Sequence, residues 1–205
     1  MIQRKTFFRI YQENKLDMKT VKKYFYLYVF FIVITLLISL IINADYVKFL
    51  QTSMSGRVSN SASEGNIFLY FIYNNALKVP ILIFLIALIP IPYTYVTVLL
   101  ANGVLLGFAF SIPITHPKIS FINLLLGIGI NSLFEQSAIL VIVTCASYIN
   151  KYVCRKIYFR KKYVKSNDNI LIIIKKVIVS YLLYALPLFI IAAIIEAYVV
   201  PILPN

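Results

Sequence analysis

Five long apolar stretches, separated by short polar breaks, take up most of this 205-residue chain. Runs near 20 residues match a hydrocarbon core about 30 Å thick at about 1.5 Å per residue of helix. A chain built this way folds as a polytopic, all-α transmembrane bundle, because backbone polar groups in lipid must be satisfied within the segment. With 61% hydrophobic residues and a mean hydropathy of +0.86, little polar surface remains for a second, water-soluble domain. The reading is a single membrane domain over residues 1–205.

Apolar runs and breaks predict spans at about 24–42, 67–89, 93–112, 119–149 and 177–200, the fifth kinked at Pro187. Pro90-Ile91-Pro92 separates spans two and three, and the Ser- and Asn-rich segment 43–66 connects spans one and two. The net charge of +13 could point to nucleic acid, but its placement does not. Segments 1–23 and 150–176 hold sixteen of the 20 Lys and Arg, and both border apolar runs. The positive-inside rule makes these two segments cytoplasmic and facing anionic inner-leaflet lipid. The N-terminus is then cytoplasmic, 43–66 an outer loop, and the C-terminus extracytoplasmic. Aromatics among the basic residues of 151–165 suggest an interfacial helix. Cys145 and Cys154 form no C-x-x-C and have no histidine nearby, so they read as free thiols.

Ionisable and amide residues inside the apolar runs mark where function or specific packing resides, because such groups in lipid are costly unless paired or facing a cavity. Lys78 falls midway along span two and Glu135 midway between Lys118 and Lys151, so they are read at matched, mid-membrane depth. Asn74 precedes Lys78 by four residues, and Asn131 precedes Glu135 by four. Each pair therefore shares one helix face. If the faces meet, ammonium opposes carboxylate and amide opposes amide, with Asn75, Asn102 and Gln136 adding hydrogen bonds. The cluster reads as a buried ion pair fixing register, as the lining of a pathway or cavity, or as Lys78 snorkelling to an interface. Glu196 lies near the outer boundary. Gly103 and Gly107 form a small-xxx-small face for close helix approach. There is no H-E-x-x-H, G-x-S-x-G or phosphate-binding lysine loop. Catalysis, a metal and a cofactor are not expected.

Several segments carry a resemblance. They are Tyr73-Asn74-Asn75-Ala76-Leu77, Asn102-Gly103-Val104-Leu105-Leu106-Gly107, Leu133-Phe134-Glu135, and the ending Glu196-Ala197-Tyr198-Val199-Val200-Pro201. In this order, with five spans, the chain resembles the stage II sporulation protein M family of bacterial membrane proteins. Gly103, Gly107, Glu196, Tyr198 and Pro201 are the positions that carry the family pattern. Gln136-Ser137-Ala138 departs from it and suggests a divergent branch. The resemblance implies a non-enzymatic, multi-pass component of the bacterial cell membrane. It would be a scaffold or anchor that recruits membrane or extracytoplasmic partners, as in peptidoglycan remodelling during sporulation engulfment. The alternative it implies is a component of a circular-bacteriocin maturation, export or immunity system working with a separate ABC-type ATPase.

Overall fold

The computed structural model describes residues 16–42, 64–115, 122, 129–158 and 170–199. Among these residues every regular element is helical, and five helices are long and apolar enough to cross a membrane. The protein is a multi-pass α-helical bundle. Span one is α1 (Met18–Ile42). Span two is α2 (Glu64–Phe71), a π-helical segment Ile72–Lys78, and α3 (Val79–Ala87). A 3₁₀ turn Thr94–Val96 leads into span three, α4 (Thr97–Thr115). Span four is α5 (Ile130–Tyr158). Span five is α6 (Ile170–Ser180), a π-helical segment Tyr181–Ala185, α7 (Leu186–Ile194) and a final π-helical segment Ile195–Val199.

Helix α1 begins six residues before the expected boundary because Asp17 caps it. The Lys19 amide donates to Asp17 Oδ1 at 3.1 Å and the Thr20 hydroxyl to Oδ2 at 2.6 Å. The Thr20 hydroxyl is also the main reason the Asp17 carboxyl titrates below its ordinary value. Span five likewise starts earlier than expected, at Ile170, and residues 151–158 continue span four rather than forming a separate interfacial helix.

Spans one and three run side by side in the same direction. Buried Tyr24, Tyr28, Thr35 and Ser39 recur at helical spacing on α1, while Phe30, Val33, Leu37 and Ile41 face outward. The Tyr24 and Tyr95 hydroxyls hydrogen-bond at 2.6 Å with rings edge to face. Further along, Gly103 lies against Tyr28, and Gly107 against the α1 backbone at Ile32 and Leu36. Ser39 then donates to Ser111 Oγ at 2.6 Å, and the Ser111 hydroxyl in turn donates to the Phe108 carbonyl at 2.7 Å. The glycine face expected from sequence thus has span one as its neighbour. A Cβ on Gly107 would stand 2.6 Å from the Ile32 carbonyl oxygen, which explains why this position holds no side chain.

Span four is the axis of the bundle: 56% of its apolar window is buried, against 17% for span two. Residues Ala138 through Ser147 are all buried, on every side of the helix. Prolines shape the two spans beside it. Pro80 cannot donate to the carbonyl four residues back, Ala76, and the Tyr181 hydroxyl of span five donates there instead. In both spans a π-helical segment ends just before the proline, at Lys78 ahead of Pro80 and at Ala185 ahead of Pro187. The distortion expected at Pro187 is therefore a widened turn preceding it.

The Pro90-Ile91-Pro92 break is closed by side chains. Asn150, 3% exposed, donates through Nδ2 to the carbonyls of Ala87, Ile89 and Ile91 at 3.0, 2.9 and 3.2 Å. Tyr158 donates to the Pro90 carbonyl at 2.7 Å and Thr94 to that of Ile86 at 3.3 Å, the carbonyl Pro90 cannot serve. The chain then reverses through Tyr93, whose left-handed φ of 69° is uncommon for a non-glycine residue. The Lys23 ammonium sits over the Tyr93 ring.

Candidate functional site

The contact between Asn150 and the carbonyls at the end of span two supplies a common origin for depth. Lys78 is nine residues from Ala87, about 13 Å above that plane, and Glu135 is fifteen residues from Asn150, about 22 Å above it. The two groups are about 9 Å apart in depth and not level. Lys78 is exposed on the outer surface of span two, whereas Glu135 is half-buried and within electrostatic reach of the Tyr28 hydroxyl on span one. No ion pair joins Lys78 to Glu135. The sequence placed Lys78 midway along the apolar run of span two and Glu135 midway between Lys118 and Lys151. Span four is instead the helix Ile130–Tyr158, in which Glu135 lies close to the Ile130 end and not midway.

The amide companions are separated as well. Asn74 donates to Asn75 Oδ1 at 3.0 Å within span two. Asn131 instead turns to span five, donating through Nδ2 to Glu196 Oε2 at 2.8 Å. Asn131 is nineteen residues above Asn150, about 28 Å, so this contact lies at the far end of the bundle. Asn102 is half-buried on span three, with no side-chain hydrogen bond to another described residue. Gln136 Oε1, Asn131 Oδ1 and Tyr28 Oη are buried with no hydrogen-bond partner among the described residues.

What the fold does assemble is a polar and aromatic cluster at the end opposite the basic segments. The closing π-helical segment carries Glu196 and Tyr198. Glu196, half-buried, accepts from Asn131 of span four, and the Tyr198 ring lies 6.3 Å from that of Phe68 on span two. Spans two, four and five therefore meet there through the residues of the Glu-Ala-Tyr motif. Pro201, His116 and residues 43–63 lie outside the described residues. Among the described residues, no group of three or more His, Cys, Asp or Glu is placed to hold a metal ion, and Cys145 and Cys154 are free thiols.

Residues that the sequence reading passed over hold much of this arrangement. Asn150, Tyr181, Tyr24 with Tyr95, and Ser39 with Ser111 are all cross-span hydrogen-bonding side chains. A signal for two of them was present: each proline in an apolar run frees a backbone carbonyl, and a donor has to be found nearby.

A family model described as stage II sporulation protein M matches residues 25–201, from the first buried stripe of α1 through the Glu-Ala-Tyr motif to Pro201. The chain belongs to the stage II sporulation protein M family. No curated protein and no solved structure gives a match. Within this family member, the described positions of the family pattern fall into two structural groups. Gly103 and Gly107 form the contact between spans one and three, and Glu196 and Tyr198 close the far end of spans two, four and five.

Proposed function

We propose that this protein is a non-enzymatic anchor of the bacterial cell membrane that recruits partner proteins at its Glu196 end. Sequence charge bias puts that end on the extracytoplasmic side. The observation that carries this reading is the separation of Lys78 from Glu135 in depth and in surface. A conduit needs its polar groups along one continuous path. Here residues with little or no exposure, among them Ile83, Leu99, Ile139, Ile142, Val143 and Phe189, form one close-packed apolar core. The end of the bundle offers a recognition surface, where Glu196 is oriented by Asn131 beside an exposed Tyr198. In the sporulation setting the partners would be proteins of peptidoglycan remodelling during engulfment.

The second reading is a membrane component of circular-bacteriocin maturation, export or immunity, with a separate ABC-type ATPase. An exposed Lys78 on span two is compatible with such a system.

Site-specific photocrosslinking in the bacterium that carries the gene tests the proposal. A benzophenone residue at Tyr198 gives a discrete protein adduct, and Glu196→Gln diminishes it. A probe at lipid-facing Ile114 gives none. Adducts with lipid alone at Tyr198 would contradict recruitment at this end, as would equal protein adducts at both positions.

A further inference from the structure

Lys78 poses a problem that the bundle itself does not solve. The side chain is exposed, and none of the described contacts gives it a partner. It lies about 13 Å from the Asn150 plane; with that plane, beside Lys151, set at one edge of a hydrocarbon core about 30 Å thick, about 17 Å remains to the other edge. A four-carbon stem covers no more than about half the shorter distance, so snorkelling does not bring the ammonium to water. An ionisable group left in acyl chains is costly, and that cost is removed when a neighbouring helix supplies a partner.

The surface around it has the form of a helix seam. Tyr73, Leu77, Ile81 and Leu85 are 64, 50, 50 and 59% exposed and recur every four residues on one face of span two. Lys78 adjoins this stripe near its midpoint, at the end of the π-helical segment Ile72–Lys78 that precedes Pro80. Span two is also the least buried of the five spans.

We propose that this stripe, with Lys78 near its centre, is the docking surface for a transmembrane helix of a partner protein carrying a carboxylate at matching depth. Charge selects the occupant. A second copy docking through the same face about a two-fold axis would bring Lys78 against Lys78, and like charges in a low dielectric repel strongly. An all-apolar helix would bury the seam and leave the ammonium unpaired. A carboxylate-bearing helix meets both demands, the leucines and tyrosine packing along the stripe while the ion pair fixes depth and register. The inference rests on the anchor reading and specifies one class of partner, a membrane-embedded one, at a surface separate from the Glu196 end.

The test uses the full chain in phosphatidylcholine vesicles and synthetic single-span polyleucine helices, with energy transfer reporting association. Three guests are compared: all leucine, one central glutamate, and one central lysine. The wild-type chain binds the glutamate guest roughly tenfold more tightly than the all-leucine guest. Lys78→Met removes the difference, and Lys78→Glu transfers the preference to the lysine guest. Shifting the guest glutamate by two turns abolishes the advantage. Lys78→Met places an apolar side chain on a lipid-facing surface, so it keeps the elution profile of the wild type. An unchanged glutamate preference in Lys78→Met would overturn the proposal, as would no preference in the wild type. Self-association of the chain that depends on Lys78 would name a second copy as occupant and overturn it too. Glu196→Gln leaves the guest preference intact, so failure here and failure of recruitment at the Glu196 end are separable.

Discussion

Asn150 is the residue whose removal most cleanly tests the packing of spans two and four. Its amide nitrogen reaches three carbonyls, those of Ala87, Ile89 and Ile91, at 3.0, 2.9 and 3.2 Å, from a site only 3% exposed. The nitrogen has two hydrogens, so two bonds are strong at any instant and the third is shared. Replacement by alanine removes both donors. It leaves carbonyls at the Pro90-Ile91-Pro92 break that the prolines cannot satisfy from within the chain. At about 1–2 kcal/mol for each buried acceptor deprived of its donor, Asn150→Ala costs about 2–4 kcal/mol. Asn150→Asp is nearly the same size but presents acceptors, and when ionised a charge, to the same carbonyls. It is destabilised at least as much, and more at high pH than at low. Reversible unfolding in mixed micelles of dodecyl maltoside and sodium dodecyl sulfate gives the free energies directly. An alanine variant within about 0.5 kcal/mol of wild type, the usual range for a surface position, would show that Asn150 does not clamp the break.

Gly107→Ala forces a Cβ to within 2.6 Å of a backbone carbonyl and 2.8 Å of Thr35 Cβ, so spans one and three must part, at about 1–3 kcal/mol in the same assay. Gly103→Ala, whose nearest neighbour is the Tyr28 ring at 3.1 Å, is milder. The reverse order would refute the assigned contact. Tyr181→Phe deprives the Ala76 carbonyl of its donor and costs about 1–3 kcal/mol. In Pro80→Ala, which restores a backbone N–H at position 80, the same change costs less, and additive effects would deny the link. The lowered Asp17 pKa means that its capping contribution is fully present above the ordinary carboxylate range and lost as pH falls through the folded-state value. Asp17→Asn, still able to cap, removes that acid sensitivity, and an unchanged acid-unfolding profile would contradict the cap.

The five spans and their order were legible because lipid imposes a length and a composition that no other class of chain satisfies. The Gly103/Gly107 face was legible for a related reason, since two small residues four apart admit a neighbouring backbone. Which neighbour it admits depends on the tertiary arrangement, and span one carries no mark in sequence that pairs it with span three. Lys78 and Glu135 illustrate the limit. Their i, i+4 companions suggested matching faces, but facing requires equal depth, and depth was counted from the ends of an apolar run for Lys78 and from flanking charges for Glu135, not from a contact. The Asn150 contact resets that count and moves Glu135 about 9 Å above Lys78. Asn131 then finds Glu196, a contact left open by sequence because the two residues sit 65 positions apart. Asn150 itself adjoins Lys151 and reads as the start of a polar loop, although it is buried inside a helix.

The depths of positions 78 and 135 test the account most directly, because a conduit needs those groups level on one polar path and an anchor does not. Spin labels at Lys78→Cys and Glu135→Cys, in a chain with Cys145 and Cys154 replaced, report depth through relative accessibility to oxygen and to a water-soluble nickel chelate. The structure predicts a difference of about 9 Å, with high oxygen accessibility at 78 and low accessibility to both reagents at 135. Equal depths with strong nickel accessibility at both positions would place the two residues on one hydrated path and contradict the anchor.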